Sequence, residues 1–415
     1  MAAPRDAFVW AWLPGATEPV VAGRVVAVDG DRYVFAYGQS YLARPDAVPL
    51  YAPELPLREG PIEPRRNLPL AGCLRDASPD AWGRRVILAR RFGHLDRDAD
   101  TAALDELTYM LTSGSDRVGG LDFQASATEY VARAETAELA ELIGAAEALE
   151  AGRPLSPALG EALTRGTSIG GARPKVTVLD QGRHLIAKLS STSDYYPVVK
   201  AEAVGMILAR RVGLNVAACE VIRCAGRDVL LVERFDRTAV PGQRRMMVSA
   251  LTILGEDEMG ARHAGYPDLA DAVRKQFTDA AQHLRELFAR MVFNVCIGNT
   301  DDHLRNHAAF WDGAQLSLTP AYDLCPQPRS GETANQALNI TRTPGERASQ
   351  LRLCRKAAPE FLLSDRDADQ IIDAQLETIR RDWGAAADEA QLTKAERGQL
   401  WQRQILNPYI HYDQV

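Results

Sequence analysis

The chain has 415 residues, more than one ordinary domain holds, so we expect at least two compact parts. An apolar fraction of 46% and a charged fraction of 25% are ordinary for a globular protein that buries a sizeable core. The net charge of -7 argues against a chain that binds nucleic acid through its overall charge, so any DNA contact would need a local patch or a basic partner.

Neither the cysteines nor the apolar runs indicate export or a membrane. The six cysteines are scattered without a C-x-x-C pair, so we expect reduced thiols and a cytoplasmic protein. No run approaches the roughly 20 apolar residues of a membrane span, and we expect no membrane partner. The apolar N-terminal stretch FVWAWLPG is interpreted as a first β-strand, not as a signal peptide.

The first third of the chain predicts strands followed by helices. Residues 8–43 carry three β-rich runs and a D-G hairpin signal, which predicts a β-meander. Two helices follow, in SPDAWGRRVILARRFG and ALDELTYMLT, before the extended stretch SDRVGGLDF. The acidic, Ala-rich residues 126–151 predict an exposed amphipathic helix at a domain junction.

From residue 166 the pattern returns to strands and then becomes helical. KVTVLDQGRHLIAKLS predicts two strands around a Q-G turn, VKAEAVGMILARRVG a helix, and ACEVIRCAGRDVLLVERFDR a second hairpin. Beyond about residue 245 the chain is mostly helical, with a long amphipathic helix in TDAAQHLRELFARMVFNVCIGN and late helices at 365–381 and 391–404. A β-rich part followed by a helical part is the order found in bilobed protein kinases.

One polar stretch, GNTDDHLRNHAAFWDGAQLSLTPAYDL, stands out in this apolar region. Asp301 and Asn306 are five residues apart, the spacing of the kinase catalytic Asp and the Asn that binds Mg²⁺. Asp312-Gly313 joins two alternating runs into a predicted hairpin, and Asp323 stands at its exit, where kinases place a second metal-binding Asp. The alternative is ordinary loop chemistry, since Asp and Asn favour turns.

A phosphate-binding lysine is expected upstream. Lys188 lies in the apolar strand HLIAKLS, and Glu202 follows in the next helix. A strand Lys paired with a helix Glu holds the α- and β-phosphates in kinases. The alternative is a lysine at a strand edge that faces water.

Two weaker signals concern nucleotide contacts. The loop GTSIGGARPK contains Gly170 and Gly171, whose missing side chains would let backbone N–H groups approach phosphate oxygens. The segment LLVERFDR, with Glu233, Phe235 and Asp236, is a possible hinge whose main chain would bind adenine. A flexible turn explains the first segment equally well. His303 and His307 have a metal-like spacing, but no Glu follows His303, so zinc is not expected.

Taken together, these segments resemble the HipA family of bacterial toxin kinases over most of the chain. SIGGARPK resembles the family's Gly/Ala loop, LIAKL its nucleotide-binding strand, TDDHLRN its T-D-G-H-x-K-N catalytic loop and LTPAYDL its metal-binding segment. LRDASPDAWGRR and SDRVGGLDF resemble its N-terminal subdomain. One departure matters: Asp302 stands where the family usually has Gly, which adds a charge beside the proposed base.

The resemblance implies an α+β fold with a bilobed, protein-kinase-like core. We expect an N-terminal subdomain at 1–125, the rest of the N-lobe at 126–245 and a helical C-lobe at 246–415. It further implies an ATP- and Mg²⁺-dependent serine/threonine kinase that autophosphorylates Ser168. The implied partner is a HipB-like helix-turn-helix antitoxin, through which DNA is bound, and the implied target is a translation-related protein such as an aminoacyl-tRNA synthetase.

Two other functions stay open from the sequence. One is a small-molecule kinase with a similar core, whose acceptor pocket the sequence does not show. The other is a nucleotide-binding, non-catalytic co-repressor that acts with a DNA-binding antitoxin. The presence of Lys188, Asp301, Asn306 and Asp323 together argues against the non-catalytic alternative.

Overall fold

The computed structural model describes residues 4–28, 31–92, 101–133, 138–153, 156, 160, 163–164, 173–190, 194–329, 331 and 333–412. Most of the predicted Gly-rich loop, including Ser168, Gly170 and Gly171, lies outside the described residues. The described chain mixes antiparallel sheets with helices, as the sequence predicts.

The strands are β1 (Asp6–Ala11), β2 (Val20–Ala27), β3 (Tyr33–Tyr37), β4 (Leu121–Gln124), β5 (Lys175–Asp180), β6 (Arg183–Leu189), β7 (Cys219–Cys224), β8 (Arg227–Glu233), β9 (Met247–Ser249), β10 (Ala308–Trp311) and β11 (Leu316–Leu318). The described α-helices are α1 (Gln39–Leu42), α2 (Gly72–Asp76), α3 (Ala81–Phe92), α4 (Glu106–Thr112), α5 (Leu139–Glu150), α6 (Val198–Arg211), α7 (Ala250–Leu254), α8 (Tyr266–Gln276), α9 (Ala280–Ile297), α10 (Leu351–Ala357), α11 (Asp365–Glu389) and α12 (Lys394–Leu400).

The predicted β-meander is confirmed as a sheet of order β3-β2-β1-β4. Its strands are antiparallel, and β3 and β4 are buried along almost their whole length. The end of the predicted β-meander differs, because residues 39–42 form the short helix α1. The Tyr41 hydroxyl of this helix donates a hydrogen bond to the Val48 carbonyl at 2.7 Å.

The helix predicted at 126–151 is shorter than expected and is not an exposed element. Residues 126–133 carry no helix, and α5 begins only at Leu139. Its apolar face is buried through Leu142, Ile143 and Leu149. The Leu and Ile spacing therefore indicated a core-facing helix correctly, whereas the acidic composition around it overstated its exposure.

Both hairpins predicted after residue 166 are confirmed, in a sheet of order β5-β6-β8-β7. Gln181-Gly182 and Ala225-Gly226 make their turns, and all four residues have positive φ angles. Within this sheet Lys188 of β6 lies directly opposite Lys175 of β5 and next to Leu230 of β8. A third sheet has the order β11-β10-β9, and Gly313, with φ of +101°, turns the predicted β10–β11 hairpin.

Helices position the polar stretch around Asp301. The long predicted helix is α9, which ends at Ile297, and Gly298 follows it in the left-handed conformation at φ of +69°. A Cβ on Gly298 would lie 2.6 Å from the Gln404 carbonyl oxygen, so this position needs glycine for space as well as for backbone conformation. The late helices are confirmed as α11 and α12, the first longer and the second shorter than predicted.

The chain divides into two compact units. The first unit comprises residues 1–193, 223–248 and 310–314, and the second comprises 194–222, 249–309 and 315–415. The three-part division predicted from the sequence stays a prediction. Among the described helices, none combines the length and the apolar character that crossing a membrane requires.

Candidate active site

In the second unit, the loop from Gly298 to His307 carries the predicted catalytic residues. It leaves α9, tightens into a short 3₁₀ turn at Leu304–Asn306 and enters β10. Asp301 is exposed, whereas Asn306 is buried at 8% relative exposure. The loop therefore presents one carboxylate to solvent while it holds the amide that follows it inside.

Asn306 is hydrogen-bonded to the loop through both its side chain and its backbone. Its side-chain Nδ2 donates to the Asp301 carbonyl at 3.1 Å, and its backbone N–H donates to the His303 carbonyl at 2.9 Å. Because a carbonyl only accepts, the NH₂ end of the amide must face Asp301, and Oδ1 is left as an acceptor. Amide and carboxylate oxygens are the ligands that Mg²⁺ prefers, so this orientation suits a metal ligand.

Asp323 lies five residues after the end of β11 in a left-handed conformation, with φ of +59°. Its carbonyl accepts from the backbone N–H of Cys325 at 3.1 Å and from Nδ2 of Asn299 at 3.4 Å. A Cβ on Gly205 of α6 would overlap the carbonyl oxygen of Leu324, so α6 packs directly against this segment. A non-glycine residue in this conformation is held by its surroundings, and such positions cluster at functional sites.

The pKa of the Asp301 carboxyl is shifted by its surroundings. Neighbouring protein atoms desolvate the Asp301 carboxyl and raise its pKa above the usual range, although solvent still reaches the residue. His303 lowers this pKa, while the Asp323 and Asp302 carboxylates raise it further. Two carboxylates that disfavour each other's ionised form are typical of a site that a divalent cation completes.

Asp302, the departure from the family pattern, is turned away from this exposed carboxylate. It is 2% exposed, accepts a hydrogen bond from the Tyr266 hydroxyl, and lies 3.1 Å from Nε2 of His307. Its φ angle is not positive, so glycine is not needed there for backbone reasons. Of the two adjacent aspartates, Asp301 is therefore the one available to a substrate.

In the first unit, Lys188 occupies the half-buried face of β6, while Leu185, Ala187 and Leu189 pack into the core. Lys175, which is buried at 8% relative exposure, lies opposite it on the same face. The sequence analysis did not connect Lys175 with Lys188, because only the β5–β6 register brings the two lysines opposite each other.

The segment 233–236 is held by a buried ion cluster of the first unit. Asp236 accepts from Nη2 of Arg234 at 2.8 Å, from Nη1 of Arg237 at 2.9 Å and from the Gly119 backbone N–H at 2.7 Å. Asp116 bonds the same two arginines at 2.8 and 2.7 Å. The Asp236 carboxylate is thus occupied by protein groups, so its predicted nucleotide contact can concern only its main chain.

The main chain of this segment is already partly used. The Arg234 N–H donates to the His184 carbonyl, and the Asp236 carbonyl accepts from the Arg245 N–H, both at 2.9 Å. Glu233 is exposed at the end of β8, and the half-buried Phe235 ring meets Phe310 edge-on at 5.9 Å. Adenine contacts through Glu233 and Phe235 stay a prediction.

Glu202 belongs to the second unit, where it is buried at 5% relative exposure in α6. The structure confirms its predicted place early in that helix. Its pairing with Lys188 stays a prediction from the sequence.

Comparisons with known proteins identify the family to which the chain is similar. Residues 17–124 match the model of the HipA N-terminal domain, and residues 167–383 match that of the HipA-like C-terminal domain. The serine/threonine-protein kinase toxin HipA of Shewanella oneidensis is 29% identical over 183 residues, which cover 38% of this chain and 42% of that relative. The chain thus spans less than half the length of this relative.

A solved structure extends the likeness to the whole fold. The matching chain comes from the Shewanella oneidensis MR-1 toxin-antitoxin complex of HipA, HipB and operator DNA, with a TM-score of 0.69 and 17% identity. The match covers 95% of this chain and 96% of that chain. The α+β, kinase-like fold class predicted from the sequence is confirmed by this match.

Proposed function

The chain belongs to the HipA family, and we propose that it is an ATP- and Mg²⁺-dependent serine/threonine protein kinase that serves as the toxin of a type II toxin-antitoxin pair. The observation that carries the proposal is the loop of the second unit. There Asp301 is exposed, the Asn306 amide oxygen remains an acceptor and Asp323 has a left-handed backbone, and the three follow one another along the chain in the order of the kinase catalytic and metal-binding residues.

Asp301 is proposed to be the base. A serine or threonine hydroxyl of the acceptor protein attacks the γ-phosphorus of ATP, and its proton passes to the Asp301 carboxylate. The new bond joins the hydroxyl oxygen to phosphorus, and the bond that breaks releases ADP. Little covalent chemistry falls to the protein, so the position of this carboxylate is its main contribution.

Asn306 and Asp323 are proposed to hold the metal, and the donor set fits Mg²⁺. The Nδ2 bond to Asp301 leaves the Asn306 oxygen as the ligand end, and Asp323 supplies a carboxylate near Asp301. When bound, Mg²⁺ neutralises charge on the β- and γ-phosphates. Lys188 is proposed to bind phosphate oxygens, with Lys175 as a second cation on the same sheet face.

Glu202, the glycines 170 and 171, and the main chain at 233–236 complete the proposed nucleotide contacts. Ser168 is the proposed autophosphorylation site. Support for these residues comes from their match to the family motifs, since the Gly-rich loop lies outside the described residues.

The proposed partner is a HipB-like helix-turn-helix antitoxin that carries the DNA contact. Support comes from the matching solved complex, which contains HipB and operator DNA, and from the net charge of -7, which disfavours direct DNA binding by this chain. The proposed target is a translation-related protein such as an aminoacyl-tRNA synthetase, and the proposed location is the cytoplasm.

Two experiments test the proposal. The first incubates the purified chain with γ-labelled ATP and Mg²⁺ and follows label on the chain and on added protein. The second compares phosphoproteomes after induction of the wild type and of Asp301→Asn. Phosphosites that appear only with the wild type identify the target, whereas equal phosphoproteomes and no label transfer would leave the non-catalytic co-repressor as the better reading. Label that accumulates on a small molecule instead would favour the small-molecule kinase.

A further inference from the structure

Asp302, the aspartate beside the proposed base, is held by buried hydrogen bonds to Tyr266 and His307, which we call the anchor. Asp302 accepts from the Tyr266 hydroxyl and lies 3.1 Å from His307 Nε2. Tyr266, Asp302 and His307 are 1%, 2% and 4% exposed. Since a carboxylate only accepts, Nε2 must carry the ring hydrogen, and both neighbours donate to Asp302.

The anchor continues through two asparagines toward Asp323. Asn294 of α9 donates from Nδ2 to the Tyr266 hydroxyl at 3.3 Å. Asn299 donates from Nδ2 to Oδ1 of Asn294 at 2.9 Å and to the Asp323 carbonyl at 3.4 Å. Asn294 and Asn299 are each 1% exposed. A buried chain of hydrogen bonds thus runs from Asp302 to the backbone of Asp323.

We propose that Asp302 is a positioning residue that fixes where Asp301 and Asp323 stand relative to each other. This inference rests on the proposed kinase function and adds a residue where the family usually has glycine. Adjacent residues share a peptide unit, so a carboxylate locked at 302 restricts the backbone at 301. The same network holds the Asp323 carbonyl and so supports its left-handed conformation.

The ordinary alternative is that Asp302 only satisfies two buried donors and stabilises the fold. The two readings differ in what they predict for an amide. In Asp302→Asn the carbonyl oxygen still accepts from Tyr266. Its NH₂ faces His307, whose ring hydrogen can move to Nδ1, an atom that has no hydrogen-bond partner among the described residues. The side chain at residue 302 therefore keeps its bonds to Tyr266 and His307 in Asp302→Asn. In Asp302→Ala these bonds are lost, and two buried donors are left unpaired.

The test measures phosphoryl transfer by the full chain for wild type, Asp302→Ala, Asp302→Asn, Tyr266→Phe and the Asp302→Ala/Tyr266→Phe double variant. We expect Asp302→Ala to lower kcat by roughly 10²-fold with little change in KM for ATP, as a misplaced group does. Asp302→Asn should stay within a few-fold of wild type, and the double variant should be no slower than the slower single variant. Tyr41→Phe is the matched control, since it removes a buried tyrosine hydroxyl bond in the first unit.

Three results would overturn the positioning role: wild-type kcat in Asp302→Ala, equal loss in Asp302→Asn and Asp302→Ala, or additive losses in the double variant. Hydrogen exchange of residues 299–307 without nucleotide gives a readout that does not need catalysis. Asp302→Ala should exchange faster there than wild type and Tyr41→Phe, and unchanged exchange counts against the anchor. A wild type that transfers no phosphoryl group contradicts the kinase proposal instead, and the exchange experiment still decides the anchor.

Discussion

The side-chain amide of Asn306 donates a hydrogen bond to the carbonyl oxygen of Asp301 at 3.1 Å. Two residues five apart in sequence are thereby held as one structural unit by the 3₁₀ turn between them. The bond has two consequences: it restrains the backbone that carries the proposed base, and it leaves the amide oxygen of Asn306 as an acceptor. Substitutions at Asp301 and at Asp323 should therefore separate the proposed role of a base from that of a metal ligand.

Asp301→Asn should abolish most phosphoryl transfer while it preserves nucleotide binding. The amide cannot take the hydroxyl proton, and the loss of a positioned base typically costs about 10²–10⁴ in rate. Single-turnover transfer from labelled ATP and calorimetric ATP binding measure the two effects. Asp369→Asn, which changes an exposed aspartate paired with Arg355, is the control. Wild-type turnover in Asp301→Asn would show that another residue acts as base.

Asp323→Ala should lose the Mg²⁺-dependent part of ATP binding. The substitution removes a carboxylate from a site with few protein oxygens, and Mg²⁺ is held through such oxygens and the phosphates together. Calorimetry with ATP, with and without Mg²⁺, gives the difference. Asp323→Asn keeps one oxygen and the same backbone, so it should lie between the wild type and alanine. Equal Mg²⁺ dependence in all three proteins would remove Asp323 from the metal site.

Lys188→Ala should weaken ATP binding or slow transfer, because it removes a cation from the face that is proposed to hold the phosphates. Lys175→Ala should act in the same direction, since the two lysines lie opposite each other in the β5–β6 ladder. Lys188→Arg keeps the charge in a different shape and tests whether charge alone suffices. Unchanged ATP affinity and unchanged transfer in both alanine variants would contradict a phosphate role for this face.

Acid should destabilise the first unit through its ion cluster. Burial alone would raise the pKa of Asp116 and of Asp236, but Arg234 and Arg237 outweigh it and hold both pKa values well below the usual range. A lowered carboxyl pKa contributes stability above the unfolded value of about 3.9, and that stability is lost as pH falls toward the folded value. Urea unfolding of the full chain between neutral and strongly acidic pH should show this loss below about pH 4.

Arg234→Gln should remove much of that pH dependence and lower stability at neutral pH by about 3–5 kcal/mol, since it leaves buried carboxylates with fewer partners. Arg381→Gln is the control: its pair with Asp382 is 60% exposed on the arginine side, and such exposed pairs contribute little to stability. Equal destabilisation by the two substitutions would mean that the buried ion cluster contributes no more to stability than an exposed ion pair.

Ser168 should carry phosphate after incubation with ATP and Mg²⁺. The phosphate adds a charge of about -1.5 to -2, which would repel the triphosphate, and Arg173 and Lys175 follow closely enough in sequence to pair with it. The phosphorylated form should therefore bind ATP more weakly. Mass spectrometry of the purified chain and ATP affinity of the modified form measure both effects. If Ser168 carries phosphate but ATP affinity is unchanged, Ser168 is an autophosphorylation site that does not regulate ATP binding.

The sequence alone predicted most of the local elements and the loop that carries Asp301 and Asn306. The Q-G, A-G and D-G turns predicted three hairpins correctly, because positive φ angles are a local demand that few residues meet. The five-residue spacing of Asp301 and Asn306 is likewise local, and the 3₁₀ turn at Leu304–Asn306 brings the two residues within hydrogen-bonding distance. The acidic composition around α5 suggested an exposed helix, but its burial was decided by the rest of the fold.

Tertiary structure decided which charged residues are available for chemistry. The sequence favoured Asp301 over Asp302 by its spacing to Asn306, but only the packing of Tyr266 and His307 around Asp302 shows that Asp302 is buried while Asp301 stays exposed. The Asp236 side chain is occupied by Arg234 and Arg237, which also bond Asp116 and the Arg117 carbonyl more than a hundred residues away. Lys175 gained its place opposite Lys188 from strand register. Long-range pairing and burial depend on contacts between distant segments, which no local window of the sequence contains.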